Sequence, residues 1–151
     1  MQRIGALLDE EKIIDLTSGY ATYLREAGEE TRLYEAANLR VPPDMIQYLE
    51  GGELSKKAAQ QTIAYITDQR KKNKEDTGPE GEKVVFRRSE VKLMAPVPRP
   101  STIRTSSLYE GHSRISATRP ESWYKYPTSG HRNARNVQGP DEPIVRPGYA
   151  K

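Results

Sequence analysis

The apolar positions of the first part of the chain change their spacing several times, and each change predicts an element. Arg3-Ile4-Gly5-Ala6-Leu7-Leu8 and Lys12-Ile13-Ile14-Asp15-Leu16 are two short apolar runs around the polar Asp9-Glu10-Glu11, which predicts a β-hairpin with a β-branched second strand. The spacing then lengthens. Thr17 and Ser18 offer a helix N-cap, Tyr20, Tyr23, Leu24 and Ala27 fall on one helical face, and Gly28 can end that helix. Val41-Pro42-Pro43-Asp44 predicts an extended piece followed by a second helix, with Met45, Ile46, Tyr48 and Leu49 as its apolar contacts and Gly51-Gly52 closing it. Leu54, Ala58, Gln61, Ala64 and Tyr65, with Ile63 and Ile66, predict a longer helix running to Asp68. Its basic far end, Arg70-Lys71-Lys72-Asn73-Lys74, puts cations where the helix dipole favours them. The polar stretch 75–83 reads as a loop, with Val84-Val85-Phe86 and Val91–Leu93 as short strands beside it. The fold class expected for 1–92 is a small α+β domain.

From Pro96 the pattern thins. Val97, Ile103, Leu108, Ile115, Val137, Ile144 and Val145 are the aliphatic branched residues after Met94, set among prolines, serines, arginines and glycines. Full burial of each would stabilise by roughly 1.5–3 kcal/mol. Ordering the backbone costs about 1–2 kcal/mol per residue. Residues 93–151 are therefore expected to be loosely ordered, or to lean on the N-terminal domain or a partner. By themselves they read as proline-bounded short strands around one histidine.

Composition narrows the function classes. Hydrophobic residues are 34% and charged residues 30% of the 151. With no cysteine, disulfides, thiolate metal sites and cysteine nucleophiles are excluded. No apolar run approaches a bilayer span and no signal pattern opens the sequence, so a soluble cytoplasmic protein is expected. Residues 1–92 carry 15 Lys/Arg and 17 Asp/Glu, whereas 93–151 carry 9 and 4. The basic half admits nucleic acid or an anionic ligand, and solvated arginines explain it more economically. Trp123-Tyr124-Lys125-Tyr126 could stack on bases, but reads better as packing.

Several phrases together resemble one family. They are Arg3–Leu7, Ile14-Asp15-Leu16, Val41–Met45, Leu49-Glu50-Gly51-Gly52, Leu93-Met94-Ala95-Pro96-Val97-Pro98-Arg99-Pro100 and Gly139-Pro140-Asp141-Glu142-Pro143. In this order they resemble the fumarylacetoacetate hydrolase superfamily over nearly the whole chain. The resemblance implies the N-terminal domain at 1–92, followed at 93–151 by the start of the β-rich catalytic domain. It also implies metal-dependent C–C bond cleavage of β-diketo acids, with Mg²⁺, Mn²⁺ or Ca²⁺ held by carboxylates. The implied partners are a second copy of the chain or a chain supplying the C-terminal β-domain.

In that comparison His112, in Tyr109-Glu110-Gly111-His112, matches the family's histidine and becomes the candidate general base. Three positions depart from the pattern. Thr105 stands where a metal carboxylate is found, Ile115 where a His-x-x-Glu dyad has its acid, and Gly130 where some members have a substrate-contacting tyrosine. A neutral hydroxyl is a poor ligand for a hard cation. The segment between His112 and Trp123, a lid in the family, is shortened. The carboxylates Glu110, Glu121, Asp141 and Glu142 remain, with Asp141-Glu142 in a turn that is expected to use them itself. His131 reads as solvent-facing.

After Pro147-Gly148-Tyr149-Ala150-Lys151 the family continues into an Asp-Tyr-Glu-x-Glu-like strand with two metal carboxylates. These residues are therefore expected to hold no metal site and to be catalytically incomplete alone. The other readings are a non-catalytic binding or scaffold descendant, or a gene remnant, and a basic nucleic-acid-binding protein.

Overall fold

A computed structural model of the chain describes residues 2–28, 31–74, 76–111, 120–126, 129–135 and 137–143. It is a small α+β structure with five α-helices and two antiparallel sheets among the described residues. The chain divides into two compact units, Met1–Lys92 and Leu93–Lys151.

In the first unit, β1 (Gly5–Leu7), β2 (Lys12–Asp15) and β3 (Val85–Arg87) form an antiparallel sheet with β2 in the centre. Ala6, Ile14 and Val85 share one face, while Leu7, Ile13 and Phe86 share the other. The first of these faces is the core face. Ile14, fully buried, packs with Ile66, Val84 and Val85, and Ile63 and Tyr65 close over them.

α1 (Leu16–Glu26) follows β2 directly. Its cap is Asp15, not Thr17 or Ser18: the Asp15 carboxylate accepts from the Thr17 and Ser18 amides at 3.0 and 3.2 Å. The helix begins earlier than expected because Leu16 and Thr17 are themselves buried, and Thr17 donates its hydroxyl to the Val41 carbonyl at 2.7 Å. Arg3 completes the corner by pairing with Asp15 at 3.5 Å. Gly28 follows the last turn at φ +92°, the left-handed conformation that ends helices.

A helix the apolar pattern does not signal, α2 (Leu33–Arg40), comes next. Its apolar residues are not gathered on one side: Ala37 is buried in the core while Leu39 is 82% exposed. Alanine, leucine and arginine propensity carries it instead. Asp44 caps α3 (Met45–Glu50) by accepting from the Ile46 and Gln47 amides. α4 (Gly52–Lys71) runs past Asp68, so its basic last turn is part of the helix. α1 packs on both α2 and α4, burying Ile4, Leu16, Tyr20, Ala21, Leu24, Val41, Ala58 and Ala59 together.

Two further expectations change. Within 75–83, Thr77 bridges Lys83, and the Asp76 carbonyl accepts from the Val84 amide, so the loop is a small hairpin leading to β3. Arg70 also pairs with Asp76 at its base. Val91–Leu93 is not a strand, because the chain makes a 3₁₀ turn over Arg88–Glu90 before it.

In the second unit, β4 (Ile103–Ser106) and β5 (Ser129–Arg132) form an antiparallel ribbon. The Trp-Tyr phrase is not a strand. It forms a short helix, α5 (Glu121–Lys125), with Glu121 paired to Lys125 at 2.6 Å and the Pro120 carbonyl accepting from the Trp123 amide. Among the described residues no helix is long and apolar enough to cross a membrane.

Candidate functional site

The ribbon brings together residues far apart in sequence. Its register pairs Ile103 with Arg132, Arg104 with His131, Thr105 with Gly130 and Ser106 with Ser129. Opposite residues share a face, and faces alternate along a strand. Thr105, Gly130 and Arg132 therefore lie on one face, and Arg104 and His131 on the other. The basic groups are split between the faces, so the ribbon presents no single cationic stripe.

Thr105 and Gly130, two of the positions at which the family resemblance breaks, are direct cross-strand partners. A Cβ placed on Gly130 would stand 3.3 Å from Thr105 Oγ1. An open groove of about 640 Å³ spans this point. Thr105 and Ser106 from β4, the following Ser107-Leu108-Tyr109 segment, and Ser129, Gly130 and Arg132 from β5 line it.

The carboxylates of this unit are occupied. Glu110 accepts from the Tyr124 hydroxyl at 2.7 Å. Asp141 accepts from the Leu93 amide at 2.7 Å, and Glu142 from the Gly139 amide at 2.7 Å. Asp141 and Glu142 thus serve the turn. Gly139 belongs to the same contact: a Cβ there would lie 2.6 Å from Met94 Cα and 2.7 Å from the Leu93 oxygen. Only a glycine lets the two backbones approach this closely.

These residues do not fit a hard divalent cation. Such ions need several oxygen ligands, most of them charged. Among the described residues no three His, Asp or Glu side chains gather as a ligand set. Arg132, on the same ribbon face as Thr105 and Gly130, brings a positive charge that opposes a cation there.

The candidate general base His112 and Ile115 lie outside the described residues, as does most of the stretch between His112 and Trp123. His131 is exposed on β5 across from Arg104. Trp123 and Tyr124 meet edge to face, with centroids 4.9 Å apart and planes at 87°, so they present no common flat surface for stacked bases.

Sequence reading singled out Thr105 and Gly130 individually and did not place them together. It passed over the groove's other hydroxyls and Arg132. The available signal was the polar run Thr105-Ser106-Ser107 meeting Ser129-Gly130 at strand spacing, but the pairing register is not written in either segment. Among known proteins, no family model and no curated protein matches this chain.

Proposed function

We propose that this chain provides the N-terminal domain and the first part of the catalytic domain of a cytoplasmic fumarylacetoacetate hydrolase-like enzyme. The reaction of that class is metal-dependent hydrolysis of a C–C bond in a β-diketo acid. Mg²⁺, Mn²⁺ or Ca²⁺ would be held by carboxylates of the C-terminal β-domain, supplied in cis or by a partner chain in a dimeric assembly. His112 is the proposed general base.

One observation carries the reading. Two phrases of the resemblance, 46 positions apart, form one contact: the Leu93 amide donates to Asp141, and Gly139 lies against the Met94–Ala95 backbone. Their residue types are explained by that contact, which supports reading them as parts of one structural unit. General-base assistance alone is worth about 10²–10⁴-fold, so His112 without a polarised substrate gives little turnover.

The test adds a family-type β-domain, bearing the Asp-Tyr-Glu-x-Glu-like strand, to the purified 151-residue chain. Alone, the chain with Mg²⁺ or Mn²⁺ leaves acylpyruvates uncleaved. With the β-domain it forms a complex and cleaves them in a metal-dependent way, and His112→Ala abolishes that turnover. Failure to form the complex sinks the proposal.

A second reading rests on the Thr105–Gly130 pair. A hydroxyl facing an absent side chain, in place of a carboxylate and a tyrosine, supports a non-catalytic binding descendant. It predicts a stable complex without turnover.

A further inference from the structure

The outer edge of β1 is an unpaired strand edge. Leu8 donates its amide to the Lys12 carbonyl at 2.9 Å, and the Ile4 carbonyl accepts from the Leu16 amide at 3.1 Å. Antiparallel ladders alternate, so the amides and carbonyls of Gly5 and Leu7 turn away from β2. No hydrogen bond among the described residues takes up these groups. The opposite edge, β3, is blunted: the Arg87 amide donates to the Glu90 carboxylate at 2.8 Å, and the chain turns off into the 3₁₀ segment. At β1, Gly5 is exposed and Leu7 is 69% exposed. Proteins commonly protect a free edge with lysine or proline, and β1 carries neither.

The segment is complementary to itself. Two copies related by a two-fold axis present the same strand in opposite directions, and an axis at Ala6 pairs the whole of β1. Gly5 of each copy then stands opposite Leu7 of the other, and the pair exchanges its outward hydrogen bonds. Leu7 comes to lie where Gly5 has no side chain, against the Ile13 methyl that stands 2.5 Å from a Cβ placed there. Arg3 of each copy arrives beside the other's turn, Asp9-Glu10-Glu11, where all three acids are exposed. Arg3 pairs with Asp15 and keeps 34% of its side chain exposed. Asp9, 3.8 Å from Lys12, keeps 49%. Apolar contacts and opposite charges across two strands both favour such a pairing.

We infer that the β1 edge is an interface for a second copy of this chain, through antiparallel β1–β1 pairing about Ala6. The pairing joins two three-stranded sheets into one continuous sheet. So short an edge buries little area, which makes the dimer a weak one, with a Kd of roughly 10–100 μM. The interface lies within 1–92 and involves no metal, substrate or His112. It therefore stands or falls separately from the hydrolase reading, which is tested by metal-dependent turnover.

The experiment is sedimentation equilibrium of the 151-residue chain from about 5 μM to about 1 mM, a range that brackets the expected Kd. A monomer–dimer equilibrium is expected. Leu7→Pro removes one outward donor per copy and no bond to β2, so it should weaken the dimer by about tenfold or more. Leu7→Lys leaves the backbone intact at the same exposed position and should weaken it by about the same factor. Glu10→Lys puts a cation beside the partner's Arg3 and should weaken it by about threefold, an effect that fades at high salt. Circular dichroism checks that each variant stays folded. The register is read by cross-linking, since the chain has no cysteine of its own. Across the axis the two Ala6 Cα atoms would lie about 4.5 Å apart, within disulfide reach, and the diagonal Leu7 pair about 7–8 Å apart, beyond it. Mild oxidation should therefore link Ala6→Cys into a covalent dimer and leave Leu7→Cys unlinked. A chain that stays monomeric to about 1 mM overturns the inference and leaves the edge to a strand of a different protein. Wild-type affinity in both Leu7→Pro and Leu7→Lys overturns it by placing the interface elsewhere. Cross-linking of Leu7→Cys in preference to Ala6→Cys overturns the register.

Discussion

Tyr65 shows how one side chain links this fold to solvent. It stands half-buried on α4, edge-on to Tyr23 with ring centroids 5.8 Å apart. Burial raises the pKa of its phenol; Glu26 raises it further and Arg25 opposes the change. A raised folded-state pKa means that stability is fully present below the unfolded value of about 10 and is lost as pH rises through the folded value. Tyr65→Phe removes this linkage. The wild-type advantage over the variant, read from urea unfolding, should stay constant to about pH 10 and shrink above it. A difference independent of pH up to the alkaline limit would contradict the assignment. Glu90 has the opposite sign. Lys83 at 2.6 Å, and then the Arg87 amide, hold its pKa below the ordinary carboxylate value. Its contribution is present above that ordinary value and lost as pH falls through the lowered one.

Between elements, one close approach in the first unit is where α1 crosses α4. Gly19 lies against Thr62, and a Cβ at Gly19 would stand 2.6 Å from Thr62 Cγ2 and 3.3 Å from Ile14 Cγ2. Thr62 is fully buried and its hydroxyl donates to the Ala58 carbonyl at 2.9 Å, so it has little freedom to turn away. Replacing glycine by alanine ordinarily favours a helix by about 1 kcal/mol. Overpacking costs roughly 1–3 kcal/mol, and here it should win. Gly19→Ala is therefore expected to lower the unfolding free energy by up to about 2 kcal/mol. Thr62→Ser, which deletes the obstructing methyl, should recover part of that loss in a double-mutant cycle. A Gly19→Ala protein as stable as wild type would show that the crossing is looser than its geometry.

For the whole chain, the distribution of buried apolar residues matters more than any single contact. Of the fifteen buried hydrophobic side chains among the described residues, Ala95 is the one beyond Lys92. Cooperative stability should therefore reside in 1–92. Limited trypsin digestion should cut first after Arg104 and Arg132, which are exposed. The fragment left, ending near Lys92, should melt in one transition. Resistance of Arg104 and Arg132 equal to that of sites within α1 and α4 would refute this.

The sequence by itself determined the local elements of the first unit. The β1–β2 hairpin, α1, α3 and α4 were legible because apolar spacing reports directly which face of an element is buried. α2 was not legible, since its helicity comes from propensity with its apolar side chains spread around it. The α1 cap moved to Asp15 because Leu16 and Thr17 are drawn into the core, a contact with Val41 that no local pattern displays. The second unit was less legible still, because its few apolar residues leave no period to read. Thr105 and Gly130 stood out in the sequence as separate positions, twenty-five residues apart. Only the strand register made them neighbours and set Arg132 beside them. Spacing along a chain encodes which way a side chain faces, whereas what it faces is decided when distant segments pair.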